Sequence, residues 1–288
     1  MVIRTFHGFL AAVLLMTGRA IILEAAPIVT TVGGPADSQM TMIENVYGGH
    51  DNWGGRNAAN VYDGGAFQEG SRRILIRFDL PPLQNDILAA TLELRYSSYL
   101  SNEGILRLYR LTESWGEGTG SGHESVSATE TGMSGGTGCG PQDGAADWFD
   151  RFHGTDGGAW SVPGAVGGTS SIATPTVTQL VTELTFPCTV ILNVLDDVRY
   201  WYANGVNMQN FGWVMTEEDS DGEWRVGLRF YSNDALSESY NYTPILRITS
   251  VPEPAIWVSL VFGAISLITF TLGRRLKEGR SVRALGTR

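Results

Sequence analysis

The chain has 288 residues, 17% of them charged, and a formal net charge of −10. Between Pro27 and Gly273, 28 acids stand against 12 bases, all arginine, and the single lysine, Lys277, lies beyond them. Such a surface repels phosphate backbones and excludes nucleic acid as a partner; polyanionic ligands are disfavoured in the same way unless a cation bridges them.

The first element is a leader. Arg4 and His7 precede an apolar run over 9–16, the pattern of a secretory signal peptide covering 1–26. Cleavage after Ala20 and cleavage after Ala25 both remain open. The stretch 27–250 is long enough for one sizeable β domain.

Residues 37–63, rich in Gly and Asn, read as one strand followed by long loops. The clearest strand spans 72–80. Ile74, Ile76, Phe78 and Leu80 share one face, and Arg73, Leu75, Arg77 and Asp79 the other. Pro81-Pro82 ends it. A second strand at 90–96 repeats the period, with Thr91, Glu93 and Arg95 on the polar side. A third at 105–111 is apolar on both faces, which suits a central position.

Sixteen glycines lie between Gly116 and Gly168. Periodicity is absent from 116 to 144, which predicts a long exposed loop. Trp148, Phe149, Phe152 and Trp160 then bring bulk and are expected to pin the loop back onto the domain. Strands follow at 190–194, 211–216, 224–231 and 244–249, with a short helix over 196–205 capped by Asp196 or Asp197. The β runs come without helix-length patterns between them. That predicts an all-β fold: an antiparallel sandwich with one short helix.

At the C-terminal end stands Val251-Pro252-Glu253-Pro254, then 18 uncharged residues over 255–272, then Arg274-Arg275. The prolines break any helix. The uncharged run, as a helix, is about 27 Å long and matches the hydrocarbon thickness of a bilayer. The arginines stay on the cytoplasmic side and stop translocation. Motif, span and stop in this order resemble the PEP-CTERM sorting signal of Gram-negative bacteria, covering 251–275. The resemblance implies export, membrane insertion and processing by an exosortase at the Pro-Glu-Pro motif. The basic tail 276–288 is longer than is usual for that signal. The alternative is an ordinary membrane anchor preceded by a proline-rich hinge.

Four segments of the domain resemble the DNRLRE family, secreted modules related to carbohydrate-binding modules. They are the strand at 73–80 ending in Arg77-Phe78-Asp79-Leu80, the strands at 89–96 and 108–112 running into Glu113-Ser114-Trp115-Gly116-Glu117, the helix-and-strand stretch 198–213, and Pro244-Ile245-Leu246-Arg247-Ile248. This chain departs from the family by an insertion over about 119–147. The resemblance implies a jelly-roll-like sandwich and, less firmly, polysaccharide binding.

Catalysis finds no residue set. The histidines form no His-Glu-x-x-His element, no Gly-x-Ser-x-Gly elbow exists, and acids are too common to single out a glycosidase pair. The expectation is a non-catalytic protein; a polysaccharide lyase or hydrolase using loop carboxylates is the lesser alternative. Trp53, Trp115, Trp148, Trp160 and Trp224 lie in or beside predicted loops and are candidate platforms for stacking on pyranose rings. Glu217, Asp219 and Asp221 crowd oxygens around a turn closed by Gly222, a candidate Ca²⁺ site; the competing reading is an acidic hairpin tip in water. Cys139 and Cys188 are candidates for a disulfide in an oxidising compartment.

Overall fold

The computed structural model describes residues 26–45, 52–62, 70–83, 86–97, 104–119, 143–182, 188–205, 209–218, 227–235 and 242–251. Most of them form one compact unit, Val29–Ser250. Residues 1–25 and 252–288 lie outside the described set, and with them most of the predicted leader and the predicted span. Among the described residues no helix is long and apolar enough to cross a membrane.

The fold is all-β. Its strands are β1 (Ile28–Gly33), β2 (Ser38–Glu44), β3 (Ala58–Val61), β4 (Arg72–Phe78), β5 (Ile87–Tyr96), β6 (Gly104–Arg110), β7 (Val177–Val181), β8 (Cys188–Asn193), β9 (Trp213–Glu218), β10 (Leu228–Tyr231) and β11 (Ile245–Ser250). Among the described residues one helix, α1 (Leu195–Asn204), joins β8 to the β9 region. Sheet A runs β1-β11-β5-β10-β3, with β8 on the other edge of β5; sheet B runs β2-β4-β9-β6-β7. The pairings resolved along both sheets are antiparallel.

Strands β1, β3 and β7 are additions to the sequence reading. β3 has only four residues, Ala-Ala-Asn-Val, and no alternation to betray it; its pairing with β10 from Val61–Leu228 to Ala58–Tyr231 makes it a strand. The helix also differs from expectation. Val194 occupies its N-cap and no side chain caps it. Asp197 is inside the first turn and buried.

Two apolar clusters hold the molecule together. The larger lies between the sheets and includes Ile74, Ile76 and Phe78 of β4, Leu92 and Leu94 of β5, Trp213 and Met215 of β9, Phe230 of β10 and Trp201 of α1. Trp201 and Trp213 pack with centroids 4.7 Å apart. The smaller cluster lies on the opposite face of sheet B. There Ile43, Leu75 and Val214 are covered by Leu111, Trp115, Ala146, Trp148, Trp160 and Ala165. The middle of β4 and the start of β9 are therefore buried on both faces, which explains why Leu75 sits fully buried among arginines.

Candidate ligand-binding face

In sheet A, β10, the Val190–Asn193 part of β8 and the 90–96 part of β5 alternate cleanly between buried and outward residues. On β5, Leu92, Leu94 and Tyr96 turn into the core, while Thr91, Glu93 and Arg95 stay half-exposed. On β10, Phe230 is buried and Arg229 and Tyr231 are half-exposed. On β8, Ile191 is exposed between buried Val190 and Leu192. The register Phe230–Tyr96 sets Tyr231 directly opposite Arg95 on the outer face.

Tyr242, arriving just before β11, completes the arrangement. Its ring stacks on Tyr231 with centroids 5.1 Å apart and an interplanar angle of 19°. The guanidinium carbon of Arg95 stands 5.9 Å from the Tyr242 ring centroid. Two more arginines stand on neighbouring segments, β10 and the turn before β3. Arg229, two residues before Tyr231, has its Nε buried with no acceptor. Arg56, in the turn before β3, lies 4.4 Å over the Trp53 ring. Burial lowers the pKa of Arg56, and the like charges of Arg229 and Arg72 lower it further; Glu44 opposes them more weakly.

The other arginines are mostly engaged. Arg72 pairs with Glu44 at 2.8 Å, and Arg107 and Arg247 pair with Glu218 and Glu93. Arg110 lies 3.6 Å from Asp197, Arg73 donates to the Gly164 carbonyl, and Arg199 donates to that of Ile87. Among the described residues no carboxylate is ion-paired with Arg56, Arg95 or Arg229. Arg95 and Arg229 share the outer face of sheet A with the tyrosine pair; Arg77, on β4 of sheet B, is likewise without an ion-paired carboxylate among the described residues, its Nε buried with no acceptor. A stacked aromatic pair flanked by guanidinium groups offers an apolar ring face to a sugar and charged donors to its hydroxyls or carboxylates.

Four of the predicted tryptophan platforms take a different place. Trp53, Trp115, Trp148 and Trp160 are buried, none more than 7% exposed. For Trp115, Trp148 and Trp160 the reason is the apolar outer face of sheet B, which the loop must cover; Trp53 packs into the larger cluster between the sheets. Trp115 Nε1 donates to the Phe211 carbonyl at 2.8 Å, and Trp160 Nε1 to that of Asp147 at 2.9 Å. Trp148 lies under Arg73, 4.6 Å away. The expected pinning of the loop by Trp148 and Trp160 holds; an open stacking surface on these four does not. Trp224 lies outside the described residues.

The acidic turn is also placed differently. Glu217 is a buried residue of β9, its carboxylate lodged against Gly104 and Gly227, where neither neighbour has a Cβ. Asp219 and Asp221 lie outside the described residues. Cys188 is half-buried on β8, and its predicted partner Cys139 lies outside the described set. Of the predicted sorting residues Val251 is described; Pro252, Glu253, Pro254, Arg274 and Arg275 lie outside.

Sequence reasoning missed Arg56, Arg95, Arg229, Tyr231 and Tyr242. Outward positions on alternating strands were the available signal for Arg95 and Tyr231. Only strand pairing brings β5, β10 and the approach to β11 together. Neither comparison with known protein families nor comparison with curated proteins finds a match to this chain.

Proposed function

We propose that the chain is a non-catalytic exported protein of the cell surface or extracellular matrix, whose sandwich binds a polysaccharide on the outer face of sheet A. The stacked Tyr231–Tyr242 pair beside Arg95 and Arg229 carries this reading. The tyrosine faces supply stacking area for a pyranose ring, and the arginines supply donors that favour a glycan bearing carboxylates or sulfates. The net acidity of the domain steers such a polymer away everywhere else, so the patch fixes where it docks.

The resemblance of the domain to DNRLRE modules agrees with this reading and with a jelly-roll-like topology. The resemblance of 251–275 to the PEP-CTERM signal supplies the route: a leader over 1–26, insertion through 255–272, and release by an exosortase at Pro252-Glu253-Pro254. Full-length protein in detergent, incubated with acidic and neutral exopolysaccharides, tests the ligand. Retention on the acidic polymer, lost in the Tyr231→Ala, Tyr242→Ala double variant, is the expected result; equal retention of wild type and variant refutes the face. The route is tested separately. Glu253→Ala with Pro254→Ala should leave insertion intact and block release, and normal processing of that variant would reduce the motif to a hinge.

A further inference from the structure

We propose that Asp147, Asp150 and His153 form a binding site for a first-row divalent metal ion of the Zn²⁺ type. The three donors are set by a tight loop whose two limbs bond to each other. Gly144 N–H donates to the His153 carbonyl at 2.8 Å, His153 N–H to that of Ala145 at 2.8 Å, and Asp147 N–H to that of Asp150 at 2.7 Å. Below them, Trp160 Nε1 donates to the Asp147 carbonyl and seats the loop in the apolar cluster on sheet B. The site is therefore held by a buried anchor rather than carried on a free tip.

The side chains converge from the spacing Asp-x-x-Asp-x-x-His. Asp147 is buried, and its Oδ1 accepts the backbone N–H groups of Phe149 and Asp150, each at 2.7 Å. That fixes the carboxylate plane and aims Oδ2 at the imidazole. His153 Nδ1 stands 2.9 Å from Asp147 Oδ2 and 3.4 Å from Asp150 Oδ2. The ligating atoms of all three residues lie within 4.8 Å of one another. His153 and Asp150 are partly exposed, so an ion reaches them from solvent.

Two features favour an ion over a simple hydrogen-bonded group. Nδ1 carries at most one proton, and two carboxylates face it; one proton serves only one of them at a time. The spacing also fits. Donors about 2.1 Å from a tetrahedral ion lie about 3.4 Å apart, so the observed 2.9 and 3.4 Å need only a small spreading. One imidazole nitrogen and two carboxylate oxygens match the borderline character of Zn²⁺, and three protein ligands leave a fourth position for water. Binding uses the Nδ1 lone pair, so the imidazole in the complex is neutral with its proton on Nε2.

The test uses untagged full-length protein in detergent, stripped with chelator and then titrated with Zn²⁺ and with Co²⁺ as a visible probe. One equivalent bound, with a tetrahedral Co²⁺ absorption band, is expected. Asp150→Asn and His153→Gln should each weaken binding at least 10-fold while thermal unfolding of the chelated proteins stays near that of wild type. Asp150 is half-exposed, so its variant keeps the question answerable if the histidine variant folds poorly. Failure to bind stoichiometrically, unchanged affinity in Asp150→Asn, or binding of Ca²⁺ in place of Zn²⁺ and Co²⁺ would each overturn the assignment.

Discussion

Trp213 Nε1 donates to Asp197 Oδ2 across 2.7 Å, tying the middle strand of sheet B to the helix. Thr176 Oγ1 donates to the same oxygen, and Arg110 stands 3.6 Å from the other. Burial raises the Asp197 pKa, and these donors pull it back down. Asp197→Ala strands the buried Trp213 indole N–H and takes the acceptor from the half-buried Thr176 hydroxyl. We expect a loss of about 3 kcal/mol, read by urea unfolding, because each orphaned buried donor costs about 1–3 kcal/mol. Asp197→Asn keeps a carbonyl acceptor and should lose less than half of that; equal losses would show that the charge, not the bonding, is what matters.

Trp148 covers sheet B and is covered in turn by Arg73. Trp148→Ala should cost roughly 3–5 kcal/mol, the usual range for deleting a buried large aromatic. It should also expose Leu75 and Ile43, raising binding of a hydrophobic dye in the folded protein. A Tm within 2 °C of wild type, about 0.5–1 kcal/mol for a chain of this size, would show that the loop is an ornament rather than a layer.

Glu117 accepts the Met40 N–H and the Asn233 amide, 2.9 Å away, yet burial still holds its pKa above the ordinary carboxylate range. A folded pKa above the unfolded one means that the ionised form carries a penalty at neutral pH. That penalty vanishes as pH falls through the raised value. Glu117→Gln keeps an acceptor for both bonds and removes the charge. The variant should be at least as stable as wild type at pH 7, with the difference shrinking toward zero by about pH 4. Denaturant titrations at the two pH values decide it; a variant that gains on acidification contradicts the sign.

Arg229 and Arg95 should act on a polysaccharide through charge. Arg229→Ala and Arg95→Ala are each expected to weaken retention on an acidic polymer about 5- to 10-fold, equivalent to roughly 1–1.4 kcal/mol. The loss should shrink as salt rises, because screening removes what the mutation removes. Retention curves at low and high salt give the comparison, and a salt-independent loss would point to altered packing instead.

Gly212 has φ of 76°, and a Cβ there would run into the Ile76 carbonyl of β4. Gly212→Ala combines backbone strain with a clash against a strand that has no freedom to move. A loss of at least about 2 kcal/mol in urea unfolding is expected. Gly167 also has a positive φ, 93°, but open space around it, so Gly167→Ala should cost only the strain and serves as the control.

The sequence by itself determined the strands that alternate and the fold class, because those rest on local periodicity. Ile74, Ile76 and Phe78 announce one buried face whatever they later meet. Only the tertiary structure decided the fate of the loop tryptophans. Whether an indole is a platform or a lid depends on the surface opposite it, and the apolar outer face of sheet B exists only once β2, β4 and β9 have paired. The Tyr231–Tyr242 pair was illegible for the same reason: its members come from different strand approaches, and no spacing along the chain encodes the pairing that stacks them.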